Sequence, residues 1–531
     1  MRKKSFRTRD GLDIKPVYAA VDVAQLDLAK VLGAPGAFPY TRGVSATGYR
    51  EEVWREEQYA GFNSPGDSNE RHKRILADGS NGGVFIALDL PTQVGYDADD
   101  PLVRGQVGRV GTPISCLADL RELLADIDLV EAKFFFTTGN CLSPIILSLF
   151  IAIAEERGVD PHALRVGLQN EPLKEYIARG TYITPVEPAL ELAVDVIEYC
   201  TNELPEWTPI TVAGTHIRGA GATLGQELAF TLANALTYVD RCVARGLDPN
   251  VCTRRFKFQF AVEMNFFEEI CKFRAARRLW AELLASEYGV TDADALAIET
   301  IASVSGVNMT AGQPMNNIVR LTLEVLAGVL GGTQVTRTKR WDEALALPTS
   351  DAVKLAIRTS QIMQEETDIT ATVDPLGGSY FIESLTGKLV DEARAEVQRI
   401  RAGGGGVAAI NSGYYQRAIT QGAHTSQQEL DQGRRVIIGL NSFREPNTHS
   451  AETFKMPASA EGRLRERLKK MKAERDVNKV AALLDDIRQA LIERRNTVPA
   501  TLAAVKADVT LGEIAALYRE VHGEMKEDVT I

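Results

Sequence analysis

Apolar and polar residues follow two rhythms along this chain, and the rhythms themselves alternate. Short β-rich runs recur as "GVFIALDL" (83–90), "KFFFTT" (133–138), "RVGLQ" (165–169) and "PITVAGTH" (209–216). Four more follow: "RRFKFQFAV" (254–262), "LAIETIASV" (296–304), "TQVTRT" (333–338) and "DITATVD" (368–374). Between them apolar residues fall at three- and four-residue spacing, as in "LSPIILSLFIAIAEERG" and "MNFFEEICKFRAARRLWAELL", which predicts helices. Several of these segments end in glycine, as helix C-termini do. Eight strands, each followed by a helix, is the count of an α/β fold of the (β/α)8 TIM-barrel type. The strand runs are nearly continuous and apolar, as a parallel sheet covered on both faces requires. A doubly wound open sheet gives the same alternation; the count of eight favours the barrel.

The same pattern predicts the domain plan. Residues 81–400 form the barrel, and residues 1–80, rich in Gly, Pro, Arg and Tyr, form an irregular N-terminal arm lying along it. "RAGGGGVAAI" (401–410) marks a flexible boundary to a helical C-terminal extension, 401–531. There the mixed-charge stretch 463–495 and its continuation predict two or three helices running to residue 525.

Composition narrows the function. The chain is 45% hydrophobic and 25% charged with net charge −11, its acids and bases interspersed. That excludes a binder of phosphate backbones, so no nucleic-acid partner is expected. The basic start "MRKKSFRTRDG" leads into no apolar stretch, so no signal peptide is read. No run of about 18 apolar residues predicts a membrane span. Six scattered cysteines without a C-x-x-C read as buried free thiols of a cytoplasmic protein.

In a barrel the active site lies at the C-terminal ends of the strands. The polar residues there include Thr137, Thr138, Asn140, Gln169, His216, Gln259 and Ser305, mostly neutral hydrogen-bonders. No paired acids suggest a glycosidase, no His/acid set a metal site, and no G-x-S-x-G a hydrolase elbow. Such a mouth suits a reactive intermediate shielded from water, with a cofactor doing the hard step. His216, in "AGTHIRGAGATLG" (213–225), is either satisfied by a neighbouring carbonyl or donates to a substrate carbonyl. In the second case Gly214, Gly219 and Gly221 allow close approach. Arg179, in "LKEYIARGTYITP" (173–185), is either a surface residue or a bidentate clamp for a carboxylate near Gln169.

At this point the chain resembles a known family. "TRGVSATGY" (41–49), "QYAGF" (58–62), "LPTQVGYDADDP" (90–101), "LQNEPLKEYIARGTYITP" (168–185) and "AGTHIRGAGAT" (213–223) are similar to the catalytic subunit of methylmalonyl-CoA mutases. So are "MNFFEEICKFRAARRLWAELL" (264–284), "TQVTRTKRWDEALALPT" (333–349) and "TDITATVDPLGGSYFIE" (367–383), in the same order over residues 12–525. The resemblance implies a (β/α)8 barrel using adenosylcobalamin for 1,2 carbon-skeleton rearrangement of an acyl thioester, an isomerase whose pantetheine arm threads the barrel. By position, His216 matches the histidine that holds the thioester carbonyl, and Tyr59 the tyrosine that drives radical formation. Gln169 matches a substrate-contacting glutamine, Arg179 the arginine that pairs with the substrate carboxylate, and Arg255 a CoA contact. Thr137 and Cys141 are expected beside them in substrate binding. Glu343, Lys339, Thr215 and Gly219 fall at positions around the adenosyl group. Retaining both Tyr59 and Arg179 implies a dicarboxylic acyl group of the methylmalonyl/succinyl type.

The chain departs from the family in "SATGYREEVWREEQYAGF" (45–62). There Glu52 and Glu57 stand where arginines hold the nucleotide phosphates of CoA. Carboxylates repel phosphates, so the resemblance admits an acyl group carried by a carrier protein as well as acyl-CoA. Lys257, Arg50 and Arg55 offer compensating charge. Thr215 and Gly219 replace a tyrosine and an acid, and Lys339 an asparagine. A catalytically silent scaffold is the remaining reading, against which the retention of Tyr59, His216 and Arg179 counts. The D-x-H-x-x-G signature of a cobalamin domain is absent; Asp160-Pro161-His162 lacks the glycine. The resemblance therefore implies a separate small cobalamin-binding subunit and a hetero-oligomer.

Overall fold

Residues Lys257–Val262 show how the sheets are built. Phe258, Phe260 and Val262 are fully buried, and the two rings lie on Trp280 and Phe273 of helix Phe266–Tyr288, centroids 4.8 and 6.0 Å apart. Each such buried side chain contributes about 1.5–3 kcal/mol. Lys257, Gln259 and Ala261 alternate to the opposite face.

The computed structural model describes residues 6–8, 10–445 and 453–525; the basic start, 1–5, lies outside them. It contains strands β1 (Arg55–Glu56), β2 (Tyr59–Ala60), β3 (Val84–Ile86), β4 (Phe134–Thr138) and β5 (Arg165–Gln169). They are followed by β6 (Thr211–Ala213), β7 (Lys257–Val262), β8 (Glu299–Val304) and β9 (Val335–Arg337). The chain divides into two compact units. One comprises Met1–Glu56, Val212–Val239 and Asp248–Phe454; the other comprises Glu57–Thr211, Asp240–Leu247 and Lys455–Ile531.

The first unit holds a five-stranded sheet, order β1-β9-β8-β7-β6, with β1/β9, β7/β8 and β8/β9 parallel. Helix Phe266–Tyr288 returns the chain from β7 to β8, and Asn316–Leu330 from β8 to β9. The second holds the parallel sheet β2-β3-β4-β5, with Pro65–Ala77 between β2 and β3 and Ser143–Glu156 between β4 and β5. Parallel neighbours require such crossovers. The fold is α/β, with parallel sheets and helices consistent with a TIM-barrel-like domain.

Seven of the expected strands are present, mostly shorter than read. The eighth, 368–374, is not a strand: it forms the single turn Ile369–Ala371. Of its β-branched residues Ile369, Thr370 and Val373 are half-buried and Thr372 is exposed, and Asp374 sits at φ 48°, bound to Arg42 and Arg274. The arm instead supplies β1 and β2, each too short for periodicity to register. The glycines of 403–406 do not form a flexible linker. They make a tight helix-to-helix junction, Gly404 at φ 101° and Gly405 at φ 83°, between Tyr380–Ala402 and Gly405–Asn411. The C-terminal region contains Glu461–Glu474, Val477–Glu493, Val498–Val505 and Leu511–His522, one or two helices more than expected. Val498–Val505 packs on the apolar helix Ser143–Glu156. All six cysteines are free and buried.

Candidate functional site

The sheet of the first unit is chemically different at its two ends. At the N-terminal end, Lys257 and Arg55 converge on Glu299, Lys257 Nζ standing 2.8 Å from its carboxylate. Burial works against the Glu299 charge, but the two cations hold its carboxyl down at about 2. A cavity of about 470 Å³ opens beside this trio, lined also by Tyr49, Glu51, Glu52, Trp54 and Arg255. Charge there is mixed. Arg254 is paired with Asp292 at 2.9 Å and Arg42 with Asp374 at 3.0 Å. Arg277 is buried and spends its guanidinium on the carbonyls of Tyr40, Thr41, Gly331 and Gly332. Arg255 and Glu52 are both exposed on this cavity, which lies at the opposite strand ends from His216. Glu57 belongs to the second unit and is buried.

At the C-terminal end of the same sheet, β6 runs into the helical turn Thr215–Ala220. Thr215 and His216 open that turn, both half-buried. Gly214 leads into it with its N–H donated to the Gln259 carbonyl at 2.9 Å. A side chain at Gly214 would meet Thr231 and Glu227, and Gly221, at φ 127°, would meet Ala423. Gly219 has nothing within 4 Å of a Cβ. Two of the three glycines noted around His216 are therefore required by packing, and the third is not. Arg218 ties the turn to the Ala222 carbonyl at 2.6 Å and to Glu263 at 3.1 Å.

Behind it, Glu227 accepts from Ala261 N at 2.6 Å and from Lys272 at 2.7 Å, and Lys272 also meets Glu269 at 2.6 Å. These groups are fully enclosed. Burial pushes the Glu269 carboxyl up to about 7, against the pull of Lys272 and Arg218. Beyond β9, Lys339 and Glu343 form a partly exposed pair at 3.0 Å. Burial opposes the Glu343 charge, yet Lys339 and Arg340 hold its carboxyl below the ordinary range.

In the second unit, Tyr59, Phe85 and Phe136 lie in one row across β2, β3 and β4, with rings 4.7 and 4.8 Å apart. Two residues on along β4 and β5, Thr138 pairs with Gln169, so strand alternation sets both on the Tyr59 face. Thr137 falls on the other face, its hydroxyl donated to the Ile86 carbonyl at 3.2 Å. Period two in "FFFTT" already distinguishes Thr138 from Thr137. Cys141 is buried and its thiol is pushed up to about 11 by burial, which keeps it protonated and unreactive.

After β5 the chain makes the π-helical turn Glu175–Arg179. Arg179 is partly exposed and bonds through Nη1 to Glu175 at 3.2 Å and to Thr181 at 3.1 Å. Neither Glu175 nor Thr181 stands out in the sequence, although Glu175 precedes Arg179 by four residues, the spacing of helical side-chain pairs. Asp160 and His162 form no metal-ligand motif. The Asp160 carboxylate caps a short turn by accepting from His162 N at 2.9 Å, and His162 is exposed.

Parallel strands with helical crossovers and polar groups gathered at strand ends define the α/β class to which TIM-barrel-like enzyme domains belong. The chain belongs to the methylmalonyl-CoA mutase family, which its residues 7–524 match. That family is cobalamin-dependent. The chain is 36% identical over 528 residues to the 2-hydroxyisobutanoyl-CoA mutase large subunit of Aquincola tertiaricarbonis, covering 99% of this chain and 93% of that one. It is 38% identical over 527 residues to methylmalonyl-CoA mutase of Cereibacter sphaeroides, covering 99% and 74%. With methylmalonyl-CoA mutase of Escherichia coli it is 38% identical over 510 residues, covering 96% and 71%. Methylmalonyl-CoA mutases are isomerases, intramolecular transferases. The words "large subunit" imply a partner for the first relative. Among the described residues no helix is long and apolar enough to cross a membrane.

Proposed function

We propose that this chain is the large subunit of an adenosylcobalamin-dependent mutase that rearranges a carboxylated acyl thioester of the methylmalonyl/succinyl type. The observation that carries this reading is Arg179: tethered through Nη1 alone, with Nε and Nη2 making no hydrogen bond among the described residues. A fork of two parallel N–H donors matches a carboxylate. A 2-hydroxyisobutanoyl group has no carboxylate to meet it.

When bound, adenosylcobalamin supplies the radical that initiates the 1,2-shift; a separate small subunit holds most of it. Glu343 accepts and Lys339 donates, a pair suited to hydroxyl groups of a nucleoside, and the space beside Gly219 is open. Thr215, at the head of the His216 turn, completes that side. In this reading His216 donates a hydrogen bond to the thioester carbonyl, and Arg179 pairs with the substrate carboxylate. Tyr59 abuts the carboxylate, Gln169 adds a neutral contact, and Thr137 and Cys141 pack behind to exclude water. Free buried thiols accord with action in the cytoplasm, as part of a hetero-oligomer.

The assay is turnover of methylmalonyl and 2-hydroxyisobutanoyl thioesters by the chain reconstituted with its cobalamin-binding subunit. Arg179→Gln is expected to abolish turnover of the carboxylated substrate; unchanged rates sink the reading. A second reading concerns the carrier. Glu51 and Glu52 line the same cavity as Arg255, which favours an acyl group delivered on a carrier protein over one delivered on CoA. Equal turnover of both forms rejects it.

A further inference from the structure

We infer that Glu175 is a positioning residue for Arg179, and so sets the preference for a carboxylated acyl group. The inference rests on the carboxylate reading above. The two residues open and close a π-helical turn, a rare conformation that is frequent at functional sites.

Glu175 is fully enclosed, and both its oxygens are committed. Oε1 accepts from Asn140 Nδ2 at 2.7 Å, from Lys174 Nζ, and from Arg179 Nη1 at 3.2 Å. Oε2 accepts from Thr181 N at 3.1 Å and from the Thr181 hydroxyl. That hydroxyl oxygen in turn accepts from Arg179 Nη1 at 3.1 Å. Asn140 holds φ 46°, a left-handed conformation that asparagine adopts more readily than most residues, while its Oδ1 accepts from Lys174 Nζ at 2.9 Å.

One guanidinium nitrogen is thus gripped from two sides. The Arg179 side chain remains 24% exposed, and its Nε and Nη2 edge makes no hydrogen bond among the described residues. A free arginine loses rotamer entropy when it meets a ligand; this one has lost it in folding. Glu175 therefore acts on substrate only through Arg179.

The test measures the Kd of succinyl-pantetheine and butyryl-pantetheine for the full chain by calorimetry, with thermal melting as the check of folding. Glu175→Gln is expected to weaken the succinyl ester about tenfold, as for loss of a hydrogen bond to a charged group, and to leave the butyryl ester within about twofold. Thr181→Val, which removes no charge, is expected to weaken the succinyl ester about threefold and carries the test should Glu175→Gln not fold. In an Arg179→Gln background neither change should alter either Kd. If Arg179→Gln itself does not separate the two esters, the carboxylate reading fails. If it separates them while Glu175→Gln and Thr181→Val do not, or if their loss persists without Arg179, the positioning role is overturned.

Discussion

Gly214→Ala is the sharpest test of how the His216 turn is held. Gly214 has φ −72° and ψ −23°, which alanine adopts freely, so the obstacle is purely steric. A Cβ there would lie 2.9 Å from Cγ of Glu227 and closer still to Oγ1 of Thr231. Neither neighbour can yield. The Thr231 hydroxyl donates to the Glu227 carbonyl at 2.6 Å, and the Glu227 carboxylate is pinned by Ala261 N and Lys272. The turn itself must back away by roughly 1 Å to reach the ~3.5 Å of ordinary contact. Overpacking of this kind costs about 1–3 kcal/mol, and a displacement of about 1 Å at a positioning group costs up to about 100-fold in rate. Thermal melting and turnover of the reconstituted enzyme should therefore both fall. Adding Thr231→Ala, which removes the nearer atom, should recover part of the stability. Gly219→Ala is the control: its Cβ meets nothing within 4 Å, and in a helix alanine is favoured over glycine by up to about 1 kcal/mol. A Gly214→Ala protein that melts like the parent, or a Gly219→Ala protein whose melting falls as much, would falsify the steric account.

Glu299 has a carboxyl held at about 2 in the fold against an ordinary 4.5. At about 1.4 kcal/mol per tenfold in proton affinity this is roughly 3 kcal/mol, fully present above pH 4.5 and lost as pH falls through 2. Glu299→Gln should thus melt well below the parent at pH 7, with the gap closing as pH drops from 4.5 towards 2. A gap independent of pH refutes the ion-pair account. The six buried thiols should react with a thiol reagent only slowly in the native protein and all at once in denaturant; fast native reaction of any of them would show an accessible cysteine.

What could be read from residues alone was whatever depends on neighbours in the chain. The alternation of Phe258, Phe260 and Val262 with Lys257 and Gln259 marks a two-faced strand, because a strand turns each side chain by half a turn whatever packs on it. The same rule already contained the distinction between Thr137 and Thr138. Residue types in order, "AGTHIRGAGAT" above all, carried the family and so the roles proposed for His216 and Arg179.

Other features depended on contacts distant in sequence. β1 and β2 are two residues each and exist only because β9 and β3 offer them ladders. The stretch 368–374 has strand composition, but no ladder receives it, and Asp374 is taken by Arg42 and Arg274 instead. Which glycine beside His216 matters was decided by Thr231, Glu227 and Ala423, none of them local to the motif. Glu175 lies within the recognised motif, yet its grip on Arg179 needs Asn140 from the end of β4. Propensity and periodicity act between near neighbours in sequence. A buried charge is placed by every group that surrounds it, and the fold alone brings those groups together.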